Sequence, residues 1–319
     1  MNFPSRVTIC ECAARDGIQH EVAFVSTHDK VSLIDQFSDA GFKRIEATSF
    51  SHPSRVPQFK DAEEVLRLIH RLPGVHYKGT CVNAKAVGRA VAALRDGHGP
   101  TEISVVVSAS EAHSLVNIGK THAEVRADLD GIIELAFNGG LRVVGTIATA
   151  FGCPFVGAIG LEGVMQWVQF FTERNVGQIC LADTTGMGDP LLVERRCAEI
   201  RDRFPDLRLI AHFHDTRGRA LANVVAALRV GVDHFDSAFG GLGGNPPGIE
   251  YSRGETGNVA TEDLVAMLTD MGIDTGLELD RLVELAHLVE RTIGRQLHGR
   301  VARAGLTGDL LPRPVQDGS

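Results

Sequence analysis

The apolar positions of this chain follow two alternating rhythms. Short runs rich in Val, Ile, Leu and Ala occupy residues 7–10, 44–48, 76–82, 102–107, 142–147, 178–182, 207–211 and 234–238. Runs this short, bounded by turn residues, read as strands buried on both faces rather than as helices. Between them lie stretches with apolar residues three or four positions apart, at 27–40, 62–69, 84–94, 123–138, 162–173, 191–203, 220–230 and 261–270. In the first of these, Val31, Ile34, Phe37 and Ser38 form the stripe; Thr27 is expected to cap its start and Gly41 to close its end. Thr261 with Asp263 is expected to open the last one in a similar way.

A strand followed by a helix, repeated eight times, predicts an α/β chain folded as a (β/α)8 TIM barrel over residues 1–275. Residues 276–319 then read as one or two appended C-terminal helices and a loose Pro/Gly-bearing end. An open doubly wound sheet is the competing arrangement, but it normally has fewer repeats and a Gly-rich phosphate loop after its first strand.

Function in such a barrel sits at the C-terminal ends of the strands. Those ends carry Glu11, Arg15, Asp16 and Gln19 after the first strand, Glu46 on the second, Asp183 on the sixth, and His212, His214 and Asp215 on the seventh. Asn245 and Asn258 fall in the long loop after the eighth. Alternate residues of a strand share a face, so His212 and His214 must project to the same side. Two neighbouring imidazoles make half a divalent-metal site, although a pair of hydrogen-bonded core histidines has the same spacing.

Other positions also have structural readings. Arg15-Asp16-Gly17 fits a turn, and Asp183 and Asn258 both stand where helix caps would. Glu46 within an apolar strand is harder to explain that way. A buried carboxylate is costly unless paired, and Arg15 is the expected partner. Taken together, Asp16, His212, His214 and Asn258 offer a mixed oxygen and nitrogen set. It suits Mg²⁺ or Mn²⁺, or Zn²⁺ in an open site, next to an arginine able to stabilise an enolate.

Composition narrows the partners. The net charge is −8 and the 32 Lys and Arg residues are scattered without a basic stripe, which argues against nucleic acid. The six cysteines are dispersed, with no CxxC pair, as expected of free thiols in a reducing cytoplasm. Residues 1–6 lead into a strand without a signal-peptide core, and no apolar run approaches the roughly 20 residues of a membrane span.

Several segments resemble one family closely. Residues 11–21, Glu-Cys-Ala-Ala-Arg-Asp-Gly-Ile-Gln-His-Glu, are similar to the signature of the 3-hydroxy-3-methylglutaryl-CoA lyases, metal-dependent barrel enzymes with an Arg-Asp-Gly motif. Further matches are Ile45-Glu46-Ala47-Thr48-Ser49-Phe50, Val56-Pro57-Gln58, Gly152-Cys153-Pro154 and Ala182-Asp183-Thr184-Thr185-Gly186. His212-Phe213-His214-Asp215-Thr216, Gly241-Leu242-Gly243-Gly244 and residues 257–263 complete the series in order. The resemblance implies a divalent metal held by Asp16, His212, His214 and Asn258. It implies Arg15 on the thioester or enolate oxygen, proton chemistry supported by Glu46 and Asp183, and His214 also counted among the catalytic groups. Gln19, Thr48 and Tyr251 are expected at the substrate. The implied reaction is a retro-Claisen cleavage of a 3-hydroxyacyl-CoA, in an enzyme of homo-oligomeric type.

Two positions depart from the family pattern. Asn245 stands where the family carries a catalytic Cys, and residues 246–256 form a longer segment with Glu250, Tyr251, Arg253 and Glu255. An amide cannot relay a proton as a thiol does; Tyr251 and Glu250 are the candidate substitutes, although both read more readily as solvated loop residues. Glu21 is followed by Val22 where the family has a basic residue, which bears on CoA use. A metal-dependent aldolase or Claisen-type synthase acting on a free ketoacid is therefore a second reading. A non-catalytic barrel that binds a metal or metabolite is a third.

Overall fold

A computed structural model of the chain describes residues 3–244 and 256–309. Eight parallel strands close into a barrel in sequence order: β1 (Thr8–Glu11), β2 (Arg44–Ser49), β3 (His76–Cys81), β4 (Glu102–Ser108), β5 (Arg142–Ala148), β6 (Gln178–Asp183), β7 (Arg208–Phe213) and β8 (His234–Ser237). Closure is made by β8 against β1, with Thr8 opposite His234 and Glu11 opposite Ser237. Each pair is parallel, so all eight C-terminal ends open on one mouth. The predicted (β/α)8 barrel is the observed fold.

The outer ring comprises α1 (Thr27–Asp39), α2 (Ala62–Leu68), α3 (Ala84–Arg95), α4 (Glu111–Ile118), α5 (His122–Asn138), α6 (Leu161–Thr172), α7 (Pro190–Arg203), α8 (Ala220–Arg229) and α9 (Thr261–Asp270). α10 (Leu279–Ile293) and the short α11 (Val301–Ala304) are the appended helices. Leu282, Leu285, Ala286 and Val289 of α10 are buried at the spacing of one helical face. They join the same apolar core as the Phe37, Phe42 and Phe239 rings, so the appended helix covers the region where β8 ends and the barrel closes.

Two local expectations are corrected and one helix is added. Ser26, not Thr27, caps α1, its hydroxyl accepting from the Asp29 N–H. Thr261 does not open α9 as a cap, because its hydroxyl is drawn inward to donate to Glu11 Oε2 at 2.5 Å. α4 was not foreseen: it is eight residues long, too short to display a helical period, and is defined by its ends. Ser110 accepts from the His113 N–H at its start, and Gly119 leaves in the left-handed conformation with φ +74°.

The main apolar core lies between strands and helices, whereas the barrel interior is polar for much of its depth. Arg44, Glu46, Lys78, Glu102, Ser104 and Asp236 are all buried on the strands. Buried charges persist only when matched, and here they are: Arg44 pairs with Glu102, while Lys78 lies 3.4 Å from Asp236 and 3.8 Å from Glu46. This charged column leads directly to the barrel mouth. Among the described residues no helix is long and apolar enough to cross a membrane.

Candidate active site

Immediately after β1 the chain winds through one wide turn, Ala13–Gly17, of π-helical geometry. Such turns re-aim side chains that a regular helix would send elsewhere. Arg15 and Asp16 both face inward from it. Arg15 Nη1 lies 2.7 Å from Asp16 Oδ1 and Nη2 lies 2.9 Å from Glu46 Oε1, so the guanidinium spans the first two strands. Burial works against the Arg15 charge, but Glu46 and Asp16 outweigh it and hold the group protonated. Glu46 Oε1 also accepts from Thr80 Oγ1 at 2.5 Å, while Glu46 Oε2 is buried and has no hydrogen-bond partner among the described residues. The expected Arg15–Glu46 pair is present, with one carboxylate oxygen left over.

Two strands round the barrel from β1, His212 is the penultimate residue of β7 and His214 lies just beyond the strand, bridged to Asn258. Their Nε2 atoms lie 3.1 Å apart, as the alternation rule required. Asp16 Oδ2 is 3.8 Å from His212 Nε2 and 3.5 Å from His214 Nε2. Burial tends to raise the Asp16 pKa, yet Arg15 first and then the two imidazoles hold it well below the usual carboxylate range. Asn258, 242 residues from Asp16 in the chain, reaches the same point from the segment after β8. Its Nδ2 donates to Asp16 Oδ2 at 2.9 Å and to the Leu242 carbonyl at 2.8 Å, and its Oδ1 is buried without a hydrogen-bond partner among the described residues.

Behind the histidines stands a residue that sequence reading did not single out. Asp236 Oδ2 lies 3.3 Å from His212 Nδ1 and 3.4 Å from Lys78 Nζ. Burial alone would lower the His212 pKa; the bond to Asp236 and the nearby Asp16 carboxylate reverse that and raise it. Lys78 in turn, together with His212, keeps Asp236 ionised far below its ordinary value despite burial. Both residues carried a readable signal. Each is a charged side chain inside an apolar strand, the same feature that marked Glu46. Cys10, Cys12 and Asp236 also form a buried gathering of metal-capable atoms, but the Lys78 ammonium already balances that carboxylate.

The other predicted residues fall as follows. Asp183 is buried at the end of β6, where its carboxylate accepts the Met187 and Gly188 N–H groups at 2.9 to 3.1 Å. It ties down that turn, and the cap of α7 is Asp189 instead. Burial raises the Asp183 pKa although these N–H bonds oppose the shift. Gln19 Oε1 is 3.4 Å from Arg15 Nη1, at the edge of the site. Thr48 is buried near the end of β2. Asn245, Glu250 and Tyr251 lie outside the described residues.

Among the described residues, the ligand atoms of Asp16, His212 and His214 all lie within 4.8 Å of one another. Two inward imidazole nitrogens, one carboxylate oxygen and the orphaned Asn258 Oδ1 form a donor set that fits a divalent cation with positions to spare. A parallel barrel with such a set at its mouth, beside a paired arginine, defines a class of enzymes that cleave or form bonds next to a carbonyl through an enolate-like anion.

Comparison with known proteins narrows the class. Residues 6–289 match the HMGL-like family model. Hydroxymethylglutaryl-CoA lyase YngG of Bacillus subtilis is 38% identical over 300 residues, covering 94% of this chain and 97% of the relative. The mitochondrial hydroxymethylglutaryl-CoA lyase of Homo sapiens is 38% identical over 302 residues, covering 95% of this chain and 90% of the relative. A solved HMG-CoA lyase from Acinetobacter baumannii, in complex with coenzyme A and 3-methylmalate, superposes with a TM-score of 0.90 at 39% identity, covering 98% of this chain and all 100% of that one. The chain belongs to the HMGL-like family and is a carbon–carbon lyase of the hydroxymethylglutaryl-CoA lyase type. Its family is metal-dependent, which supports a divalent metal in this chain.

Proposed function

We propose that this barrel cleaves a 3-hydroxyacyl-CoA thioester, with hydroxymethylglutaryl-CoA the first candidate, into an acyl-CoA and a keto product. The observation that carries the reading is the convergence of Asp16, His212 and His214 beside the Arg15–Glu46 pair. Residues 1–275 are read as the catalytic barrel and 276–319 as its helical extension, working in the cytoplasm as a homo-oligomer.

Asp16, His212, His214 and Asn258 would hold the cation, for which the donor set favours Mg²⁺ or Mn²⁺ and admits Zn²⁺. When bound, it would lower the pKa of the substrate hydroxyl and polarise the oxygens that gain charge. The rest falls to the protein. Asp236 fixes the His212 ring so that Nε2 faces the site. Arg15, locked by Glu46 and Asp16, presents fixed positive charge to the developing enolate oxygen, which needs no reorganisation at the moment of bond cleavage. Glu46 Oε2, buried and unpaired, is placed to accept or orient a proton. Asp183 holds the turn beneath the site and adds a second carboxylate to its proton chemistry. Gln19 and Thr48 line the substrate side.

The test is turnover by the purified chain supplied with Mg²⁺ or Mn²⁺ on a panel of 3-hydroxyacyl-CoA thioesters, with products separated by mass. Release of an acyl-CoA and a ketone or ketoacid is the expected result. No turnover of any thioester would overturn the proposal, and cleavage of a free ketoacid aldol instead would move it to the aldolase reading.

A further inference from the structure

The retro-Claisen reading leaves one proton unassigned, the one that the enolate carbon takes up, because the family's cysteine is replaced by Asn245. A titratable group lies directly beside the residue that precedes it. The His20 ring packs on the backbone of Gly244 so closely that a Cβ added there would fall 2.4 Å from His20 Cγ and 2.8 Å from Nδ1. That position admits only glycine while the imidazole is present. His20 Nδ1 is buried and has no hydrogen-bond partner among the described residues, whereas Nε2 faces Glu21 Oε1 at 3.5 Å. Arg295, from the segment after α10, holds that same Glu21 oxygen at 2.7 Å.

Arg295, Glu21 and His20 thus form a chain in which an anchored carboxylate orients an imidazole and leaves Nδ1 against Gly244 with no partner among the described residues. That is the general arrangement of an activated proton-transfer group, in which a third group orients the reacting one. The ring is also only 23% exposed on its side chain, enough to exchange with water and too little to wander.

Resting on the lyase reading, we propose that His20 is the proton carrier of this site, taking the part that a cysteine after the Gly-rich run plays elsewhere in the family. A carboxylate of the site removes the substrate hydroxyl proton. The carbon–carbon bond breaks and its electron pair enters the thioester enolate. The His20 imidazolium gives its proton to the enolate carbon and is left neutral. It then recovers a proton from water, and the carboxylate releases the one it took. Bonds and protons balance over the cycle, and no further reactant is needed.

The groups that set the titration of His20 come from three sides. Burial lowers its pKa first. Glu21 beside it and Asp16 in the wide turn raise it, and Arg295 and His214 lower it. The net direction is below the ordinary 6.5, which makes the protonated ring a stronger donor than a free imidazole. It also predicts that kcat falls as pH rises through that pKa.

The test compares wild type with H20N and H20Q on the thioester that the wild type cleaves. Both variants should lose about 30-fold or more in kcat with KM little changed. They should lose the His20 limb of the pH profile and regain rate when imidazole is added. E21Q should move that limb to lower pH rather than abolish turnover, since it removes the carboxylate that raises the His20 pKa. Bound metal, measured by elemental analysis, should be the same in all four proteins. A kcat for H20N or H20Q within about threefold of wild type overturns the inference, as does an unchanged pH limb. A loss that imidazole cannot restore in either variant also overturns it, by assigning His20 a purely structural part. Failure of the wild type itself to cleave any thioester is a different result, and it tells against the lyase reading instead.

Discussion

Asp236 Oδ2 lies 3.3 Å from His212 Nδ1, on the side of the ring facing away from the proposed metal. A carboxylate in that position fixes the tautomer, so the lone pair of Nε2 points to where Asp16 and His214 converge. The Lys78 ammonium at 3.4 Å keeps the carboxylate charged, which ties the middle of the barrel to its mouth. Asp236→Asn should therefore lower divalent-metal affinity by about 10- to 100-fold while the barrel stays folded. Competition with a fluorescent chelator measures this, with circular dichroism as the check on folding. An unchanged affinity would show that His212 needs no help from behind.

Arg15 joins the two halves of the site, since one guanidinium contacts both Asp16 and Glu46. Lysine at that position would keep the charge but could not hold Glu46 with one nitrogen and Asp16 with another. Arg15→Lys should retain metal and lower kcat/KM by about 100-fold or more, the range found when a preorganised donor to an oxyanion is lost. Glu46→Gln should also lower kcat, and it should leave Arg15 paired with Asp16 alone. Steady-state kinetics beside metal analysis of the same preparations separates the two effects. Equal loss of metal and rate in Arg15→Lys would mean that the arginine shapes the cation site rather than the anion.

How much of this was legible beforehand depends on the kind of signal. The eight strands were readable because a parallel barrel strand is apolar throughout and short, and neither property depends on distant contacts. His212 and His214 were readable because a period of two is local. Their meeting with Asp16 and Asn258 is a matter of closure, which the sequence suggested through the placement of all four at strand ends and through the motif resemblance. Lys78 and Asp236 were missed although each is a charge inside an apolar run. Such a charge identifies itself as paired but does not name its partner, and the partner here sits across the barrel. The cap assigned to Thr261 failed for the same reason. Glu11, which claims its hydroxyl, is 250 residues away in the chain.

The appended helix is part of the core rather than an ornament. Leu285 is fully buried on α10 and belongs to the same cluster as Phe239, in the turn that leads to the Gly-rich run. Leu285→Ala should cost about 2–5 kcal/mol of unfolding free energy, the usual range for a buried leucine. Urea denaturation followed by far-ultraviolet circular dichroism measures it. A loss below about 1 kcal/mol would mean that the helix docks loosely.

Glu11 gives the protein a pH dependence of stability with a definite sign. It is wholly buried, accepting from the Ala13 N–H at 2.9 Å, the Phe239 N–H at 3.2 Å and the Thr261 hydroxyl at 2.5 Å. Burial raises its pKa from 4.5 to about 8 against the pull of those three bonds. Glu262, which accepts from the Gly240 N–H with both oxygens, is likewise raised by burial to about 7. A carboxyl whose pKa is raised in the folded state binds more protons there than in the unfolded chain. Its stabilising contribution is complete below 4.5 and is lost as pH rises through the folded value. The part of Tm that depends on these two groups should therefore fall between about pH 5 and pH 8. Glu11→Gln and Glu262→Gln, neutral at every pH, should each flatten that decline. Differential scanning calorimetry across the interval measures it, and a wild-type slope that both variants keep unchanged would place the titration elsewhere.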